Sequence, residues 1–409
     1  MSWLEKLENG ELPLKSNDIG SLPLKYNMEN FELALKIKVD TGLDFITFPQ
    51  FADWDMIAMY LDPLVKQECG IEKKGEAFYY DVSNFSKPKS IDTTFLKSAR
   101  TLITRGRTIK RPDLVDKIRV PLTGPITLTY SVHNVEKGEL TLAFDESSFL
   151  VFSEIIYEEI LDAYIKMQPP IITIDEPLLG AFQMPIIGQY ELGRIGRSPL
   201  IEQYLIVLEK ILDKIKSKGI IPSIHTCADL SPDLLEFLFD LPSLRLLFLE
   251  NYETDLEERE RRLEIVKNAL KESENARKIT IGVGIVNTKV DRNTIDSLIL
   301  SAKEVEERTG KDLAEIILEK AFKNPVIVDK QEDINALAKK YREILSPERM
   351  WCNPNCGTGG WFLLFKEALL ETSVESNEEK AEEIAKKVGL EITKTKLKQL
   401  VTAQKTITA

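Results

Sequence analysis

The chain is poor in the residues that build disulfide scaffolds and metal sites. Its 409 residues include only two histidines and four cysteines. Four cysteines in a chain of this length do not form a disulfide framework, so we expect a reduced, cytoplasmic protein. One of the histidines and one of the cysteines nevertheless lie close together in the sequence. His225 and Cys227 stand two residues apart, at the end of an apolar run.

Long basic stretches and long apolar runs are also missing. The formal net charge is −12 and no long basic stretch occurs, so no nucleic-acid partner is expected. No apolar run reaches membrane-spanning length, and the charged N-terminus lacks the apolar segment of a signal peptide. No membrane partner is therefore expected. A hydrophobic content of 43% suits a globular protein with a sizeable core, either as several domains or as one large barrel.

Short apolar runs alternate with longer stretches of helical periodicity. Two of these stretches, 148–166 and 201–218, carry apolar residues at three- and four-residue spacing. Strands that alternate with helices predict an α/β protein with a parallel sheet, and eight such strands predict a (β/α)8 TIM barrel. The predicted strands are 18–22, 45–48, 118–123, 171–174, 220–225, 244–249, 279–283 and 349–352.

Two segments do not fit the regular alternation. Residues 60–117 predict an insertion after the second strand, containing a hairpin or an excursion over one end of the barrel. The tail from residue 376 predicts one helix ended by Gly389 and a second helix from about Lys394. We therefore expect a barrel domain over 1–375 and a helical extension over 376–409. The extension either packs on the barrel or docks a partner.

Polar residues follow several predicted strands at the end where barrel enzymes carry their chemistry. Two cysteines, one histidine and one glutamate make a tetrahedral zinc shell, and a zinc site with thiolate ligands suits activation of a substrate thiol. The candidate ligands are His225 and Cys227 after the fifth strand, Glu250 after the sixth and Cys356 after the eighth.

Simpler interpretations stay open for the individual residues. Asp175 or Glu176 can cap the helix that follows the fourth strand, and Lys289 can be a solvated loop lysine. The eighth strand carries two cysteines, Cys352 and Cys356. A proline lies between them and turns the chain, so we expect only one of these two thiols to face the site.

Taken in order, the motifs resemble the catalytic C-terminal barrel of the cobalamin-independent methionine synthase family. The resemblance runs from Asp18 to about Gly357, and the chain is similar to the short, single-barrel form of that family. The motifs are Ile19-Gly20-Ser21, Gly42-Leu-Asp44, Asp55-Met56, Thr123-Gly124-Pro125, Ile174-Asp175-Glu176-Pro177, His225-x-Cys227, Glu250, Ile281-Gly-x-Gly284 and Asn353-Pro-x-Cys356-Gly357.

The resemblance implies zinc held by the four candidate ligands, with the sulfur of homocysteine joining the metal and methionine as the product. It implies that the polar end of the amino acid lies near Ile19, Gly20, Ser21, Gln50 and Asp175. A carboxylate such as Asp175 suits an ammonium group. The Gly20-Ser21 turn offers backbone N–H groups and a hydroxyl to a carboxylate.

The chain departs from the family pattern at three places. Gln50 replaces a glutamate of the substrate site, and Lys289 aligns with the catalytic histidine, which makes Lys289 the candidate catalytic residue. Thr358-Gly-Gly-Trp-Phe replaces the basic residues that follow the last cysteine motif. These changes favour a methylated corrinoid protein over a polyglutamyl methyl-folate as methyl donor. Two alternatives stay open, an alkyltransferase acting on another thiol such as coenzyme M and a non-catalytic barrel subunit.

Overall fold

A computed structural model gives the arrangement of most of the chain. The residues that it describes are 1–89, 91, 96–97, 99–100, 102, 112–135, 141–179, 199–227, 230–253 and 255–408.

Seven of the strands in the described residues form one parallel sheet, in the order β12-β11-β10-β9-β8-β6-β2. Strands β6 and β8–β12 are buried at every position, as expected for a parallel sheet covered on both faces. The strands β1 to β12 are Ser21–Leu22, Ile46–Thr47, Gln50–Phe51, Ile71–Lys74, Ala77–Tyr80, Ile118–Thr123, Val132–Asn134, Ile171–Asp175, Ile221–Thr226, Leu246–Leu249, Thr280–Val286 and Met350–Pro354.

Helices connect most of these strands. In the described residues, the helices α1 to α14 are Trp3–Glu8, Met28–Asp40, Ala58–Lys66, Pro112–Val115, Pro125–Tyr130, Glu146–Met167, Pro199–Lys216, Pro232–Phe239, Leu256–Glu272, Arg292–Thr309, Leu313–Ala321, Gln331–Ile344, Gly360–Glu371 and Glu378–Thr408. Short 3-10 helices occupy Val82–Asn84, Leu142–Phe144, Asn275–Lys278 and Pro347–Arg349. None of the described helices is both long and apolar enough to cross a membrane.

The predicted α/β class and parallel sheet are confirmed, and seven of the eight predicted strands lie in the large sheet. The first predicted strand is different, because only its end forms β1, which pairs in parallel with β3. The preceding residues make single parallel bridges, from Ser16 to Cys352 and from Asn17 to Phe45. The closed eight-stranded barrel, like the division at residue 375, stays a prediction.

The chain divides into two compact units. The first contains Met1–Leu12, Asp55–Leu249 and Ile265–Ile281. Its centre is the run β10-β9-β8-β6, whose strands pair in parallel. The register places Thr123, Asp175 and His225 side by side at the carboxyl ends of β6, β8 and β9. A polar group from each of three strands is therefore brought to one edge of the sheet.

The predicted insertion belongs to the first unit. Strands β4 and β5 form an antiparallel hairpin, and β5 also pairs in parallel with β7. Gly75 in the connecting turn has φ +62°, a left-handed conformation that favours glycine. The predicted hairpin is thus confirmed. Residues 90, 92–95, 98, 101 and 103–111 of the insertion lie outside the described residues.

The second unit contains Pro13–Trp54, Glu250–Glu264 and Gly282–Ala409. A large apolar core forms here between α10, α11, α13 and the C-terminal helix α14. The predicted helix break at Gly389 is wrong, because α14 runs without interruption past this residue. Gly389 faces Pro23, and a Cβ atom on it would lie 2.9 Å from the Cβ of Pro23. The glycine therefore allows close packing and does not end the helix.

Candidate metal centre

The structure brings together three of the four predicted zinc ligands. One ligand atom from each of His225, Cys227 and Cys356 lies within 4.8 Å of the other two. Both cysteines are half-buried, and the histidine is buried. Cys352 lies fully buried in β12, and burial raises the pKa of its thiol to about 12. Of the two cysteines of the eighth strand, Cys356 therefore belongs to this group, and its ligation of a metal stays a prediction.

The imidazole of His225 has a different partner on each ring nitrogen. Its Nδ1 atom lies 3.3 Å from Oδ1 of Asp175, and its Nε2 atom lies 3.3 Å from Sγ of Cys227. The Asp175 oxygen is buried and takes part in no hydrogen bond of the described residues, so it is available to the Nδ1 proton. A proton held at Nδ1 leaves the lone pair of Nε2 directed toward the sulfur.

These distances fit a zinc ion. Zn–N bonds of about 2.0 Å and Zn–S bonds of about 2.3 Å in a tetrahedron separate the nitrogen and sulfur by about 3.5 Å. The Nε2–Sγ distance of 3.3 Å is close to that value. A carboxylate behind the distal nitrogen is the usual partner of a zinc-bound histidine. The donor set, two thiols and an imidazole, is also one that zinc prefers.

Glu250 lies outside the group of three. It is buried, and its Oε1 atom lies 2.5 Å from Nζ of Lys289, whose side chain is 60% exposed. Burial raises the pKa of Glu250, and the ammonium group of Lys289 acts in the opposite direction. The predicted fourth ligand and the predicted catalytic residue therefore form an ion pair with each other. Zinc ligation by Glu250 and catalysis by Lys289 stay predictions.

The predicted substrate residues fall into two groups. Gly20 has a left-handed φ of +68°. Ser21 pairs in register with Gln50, and Ile19 is buried beside this turn. The turn packs against the loop after β12, since a Cβ on Gly357 would lie 2.5 Å from the backbone nitrogen of Ser21. Asp175 belongs instead with His225. The role of each residue toward a substrate stays a prediction.

Neither a protein-family model nor a curated protein matches the chain. Among solved structures, the chain is similar to a B12-independent methionine synthase from Shewanella sp. W3-18-1 in complex with selenomethionine. The identity is 13% and the TM-score 0.49, over 93% of this chain and 98% of that one. It is also similar to a D-psicose 3-epimerase, with 10% identity and a TM-score of 0.39, over 93% and 99% of the two chains. These similarities assign neither a family nor an activity.

Glu176 has a role that differs from the predicted cap of the following helix. Its carboxylate accepts hydrogen bonds from the backbone nitrogens of Ile126 and Thr127, at 2.9 and 2.8 Å, and from the Thr127 hydroxyl at 2.7 Å. It therefore caps α5, a helix about fifty residues earlier in the chain. A Cβ on Gly124 would lie 2.1 Å from the Glu176 carboxyl carbon, which explains the glycine. Burial raises the pKa of Glu176 to about 7.

Proposed function

We propose that the protein is a zinc-dependent methyltransferase that methylates the sulfur of homocysteine and forms methionine. The observation that carries this proposal is the group His225, Cys227 and Cys356, with Asp175 behind the imidazole. Three protein ligands with two thiolates among them are typical of a zinc centre that accepts a substrate as its next ligand. Zinc bound there would lower the pKa of a thiol and make it a nucleophile at neutral pH.

The chain's own residues supply orientation. Asp175, whose Oδ1 atom lies 3.3 Å from Nδ1 of His225, would orient the imidazole by accepting the Nδ1 proton, and this would direct the other nitrogen toward Cys227. The Gly20-Ser21 turn offers a hydroxyl and backbone N–H groups to the substrate carboxylate. Gln50 lies beside this turn and offers an amide to the polar end of the amino acid. Methyl transfer then requires mainly a positioned nucleophile and a positioned methyl group.

A methylated corrinoid protein is the methyl donor that we favour. In this transfer the homocysteine sulfur forms a bond to the methyl carbon, while the carbon–cobalt bond breaks and leaves both electrons on cobalt. The leaving group needs no proton. This agrees with the state of Lys289, whose ammonium group is engaged by Glu250. Trp361, in the segment that replaces the family's basic residues, is buried and supplies no charge for a polyglutamate tail.

The test is a direct assay of methionine formation. Zinc-loaded protein is incubated with homocysteine and either methylcobalamin or triglutamyl methyl-folate. We expect methionine from methylcobalamin, and loss of this activity in Cys227→Ala but not in Cys69→Ala, a cysteine of the first unit outside the ligand group. Methionine from the folate alone would overturn the donor assignment. No methionine from either donor would overturn the function.

One observation favours a second thiol substrate. Gln50 is an amide where an ammonium group would be bound best by a carboxylate, so the site has a weaker preference for an amino acid. The second candidate is therefore a zinc alkyltransferase acting on a thiol such as coenzyme M. Calorimetric titration with homocysteine and with coenzyme M distinguishes the two. Binding of coenzyme M alone would replace the first proposal by the second.

A further inference from the structure

Asn355, the residue before Cys356, has a buried side chain whose amide is hydrogen-bonded at both ends. Its Oδ1 atom accepts hydrogen bonds from the backbone nitrogens of Asn251 and Tyr252, at 3.2 and 2.9 Å. Its Nδ2 atom donates to the backbone oxygen of Tyr252 at 2.6 Å. Only 1% of the residue is exposed. One side chain therefore fixes the backbone that follows Glu250 against the backbone that precedes Cys356.

The same loop is attached on a second side. The backbone nitrogen of Cys356 donates to the hydroxyl of Thr288 at 3.0 Å, and the backbone nitrogen of Asn355 donates to the carbonyl of Val286 at 3.0 Å. The loop that carries Cys356 is therefore fixed both to the segment after β10 and to the segment after β11. The side-chain contacts of Asn355 are buried, which makes them costly to break, and the contact between Cys356 and Thr288 is part-buried.

The contacts require an asparagine side chain. An aspartate in its place keeps the two acceptor contacts but has no proton to donate to the Tyr252 carbonyl. An alanine leaves two backbone N–H groups and one carbonyl without this partner in a buried place. Asn355 itself is no metal ligand, because its amide is directed at the backbone of Asn251 and Tyr252.

We infer that Asn355 is a positioning residue for the metal centre and that it places the Cys356 thiol among the ligands. The inference rests on the proposed function only in taking His225, Cys227 and Cys356 as metal ligands. The competing interpretation is that Asn355 stabilises the fold and has no influence on the metal. The two interpretations predict different metal affinities for two variants that lose the same stability. A positioning role lowers the affinity only in the Asn355 variant, whereas a purely stabilising role affects both variants equally.

Asn30 provides the matched control. It is a buried asparagine of the same unit, and its side chain donates to the Lys25 carbonyl at 2.8 Å and accepts from Lys386 at 2.9 Å. Zinc affinity is measured by competition with a chromophoric chelator for the wild type and for Asn355→Ala, Asn355→Asp and Asn30→Ala. The melting temperature of each metal-free chain is measured beside it. Cobalt(II) replaces zinc in a parallel series, because its thiolate charge-transfer absorption reports bound thiolates.

We expect Asn355→Ala to lower zinc affinity by about 10- to 100-fold and to weaken the cobalt–thiolate absorption. The zinc affinity of Asn355→Asp should lie between that of Asn355→Ala and that of the wild type. Asn30→Ala should keep the wild-type zinc affinity even if its melting temperature falls as much as that of Asn355→Ala. If Asn355→Ala does not fold, Asn355→Asp and Thr288→Val, which removes the other attachment, decide the question by the same readouts.

The outcomes separate the two claims. Wild-type zinc affinity and cobalt absorption in the Asn355 variants would overturn the positioning role while the metal centre stands. An equal loss of affinity in Asn30→Ala would also overturn it, since the effect would then follow stability alone. If wild type and Cys227→Ala both fail to bind zinc, the proposed function fails instead.

Discussion

Oδ1 of Asp175 lies 3.3 Å from Nδ1 of His225, at facing positions of the neighbouring strands β8 and β9. This contact assigns Asp175 a place that the family resemblance did not imply, because the resemblance implied a contact with the substrate ammonium. A carboxylate behind a metal-bound imidazole fixes its tautomer and raises its basicity. The register of two buried strands would therefore influence the metal binding that we propose at His225.

Replacing Asp175 by asparagine should weaken zinc binding by about 10- to 100-fold, since the imidazole loses its charged partner. Chelator competition measures this effect. Asp162→Asn is the control, because Asp162 pairs with Lys214 at the surface of the same unit. If zinc affinity is unchanged and only the KM for homocysteine rises, Asp175 contacts the substrate and does not act through His225.

The two cysteines of the eighth strand should behave differently. Cys356→Ala should reduce zinc content and cobalt–thiolate absorption, because Cys356 belongs to the ligand group. Cys352→Ala should keep the metal and lose roughly 1 kcal/mol of stability from a truncated core side chain. Zinc analysis and urea denaturation of both variants check this. Loss of zinc in Cys352→Ala at full folding would contradict the assignment.

Removing Lys289 should make stability more dependent on pH. Burial raises the pKa of Glu250 and Lys289 opposes this, so Lys289→Met should raise that pKa further. A carboxyl group with a raised pKa contributes stability that is complete below its unfolded value and is lost as pH rises through the folded value. The free energy of unfolding of Lys289→Met should therefore fall further below that of the wild type as pH rises.

Urea denaturation of both metal-free proteins between pH 4 and pH 8 measures this deficit, and Lys289→Arg, which retains the charge, is the control. A deficit that stays constant with pH would mean that the ion pair does not govern Glu250. A fall in kcat without any change in stability would instead support the predicted role of Lys289 in catalysis.

Glu176 should give the protein a second pH dependence. Burial raises its pKa from 4.5 to about 7, so the folded chain binds this proton more tightly than the unfolded chain. The resulting stabilisation is complete below about pH 4.5 and is lost as pH rises through about 7, and it amounts to roughly 3 kcal/mol. Glu176→Gln does not titrate and should lack this loss.

The measurement is the free energy of unfolding of wild type and Glu176→Gln at pH 5 and pH 8. The wild type should be more stable than the variant at pH 5 and should lose this extra stability at pH 8. Glu154→Gln, at an exposed carboxylate that pairs with Lys210, serves as control and should follow the wild-type profile. Parallel profiles for wild type and Glu176→Gln would contradict the raised pKa.

The C-terminal helix should depend on one buried ion pair. Nζ of Lys396 in α14 lies 2.9 Å from Oδ2 of Asp329, and both side chains are 1% exposed. Lys396→Met leaves a buried carboxylate without its counter-ion and should cost about 3–5 kcal/mol. Lys396→Met combined with Asp329→Leu should recover much of this loss. Lys387→Met, at an exposed pair with Asp312, should change stability by less than about 1 kcal/mol.

Thermal and urea denaturation of these variants give the comparison. Equal losses in Lys396→Met and in Lys387→Met would show that the buried pair contributes no more than a surface pair. Failure of the double variant to recover stability would show that Asp329 has partners whose loss matters more than that of Lys396.

Local sequence predicted the strands well, because strands that are buried on both faces are rich in apolar residues. The predicted strand at 118–123 agrees with β6 at both ends, and the others differ by a few residues. Glycine was a less reliable signal. At Gly389 the sequence indicated a helix end, whereas the glycine serves a contact with Pro23, far away in the chain. Helix propensity depends on the local sequence, whereas the residue that packs against a glycine can lie far away in the chain.

The sequence by itself determined the α/β class, the strands and the residues His225, Cys227 and Cys356 at strand ends. Residue type and apolar periodicity can be recognised in short stretches of sequence, without knowledge of the fold. Only the tertiary structure decided which side chains meet. It placed Asp175 behind His225, paired Glu250 with Lys289, separated Cys352 from Cys356 and directed Glu176 to α5. These relations depend on strand register and on contacts between residues distant in the chain, which local patterns do not specify.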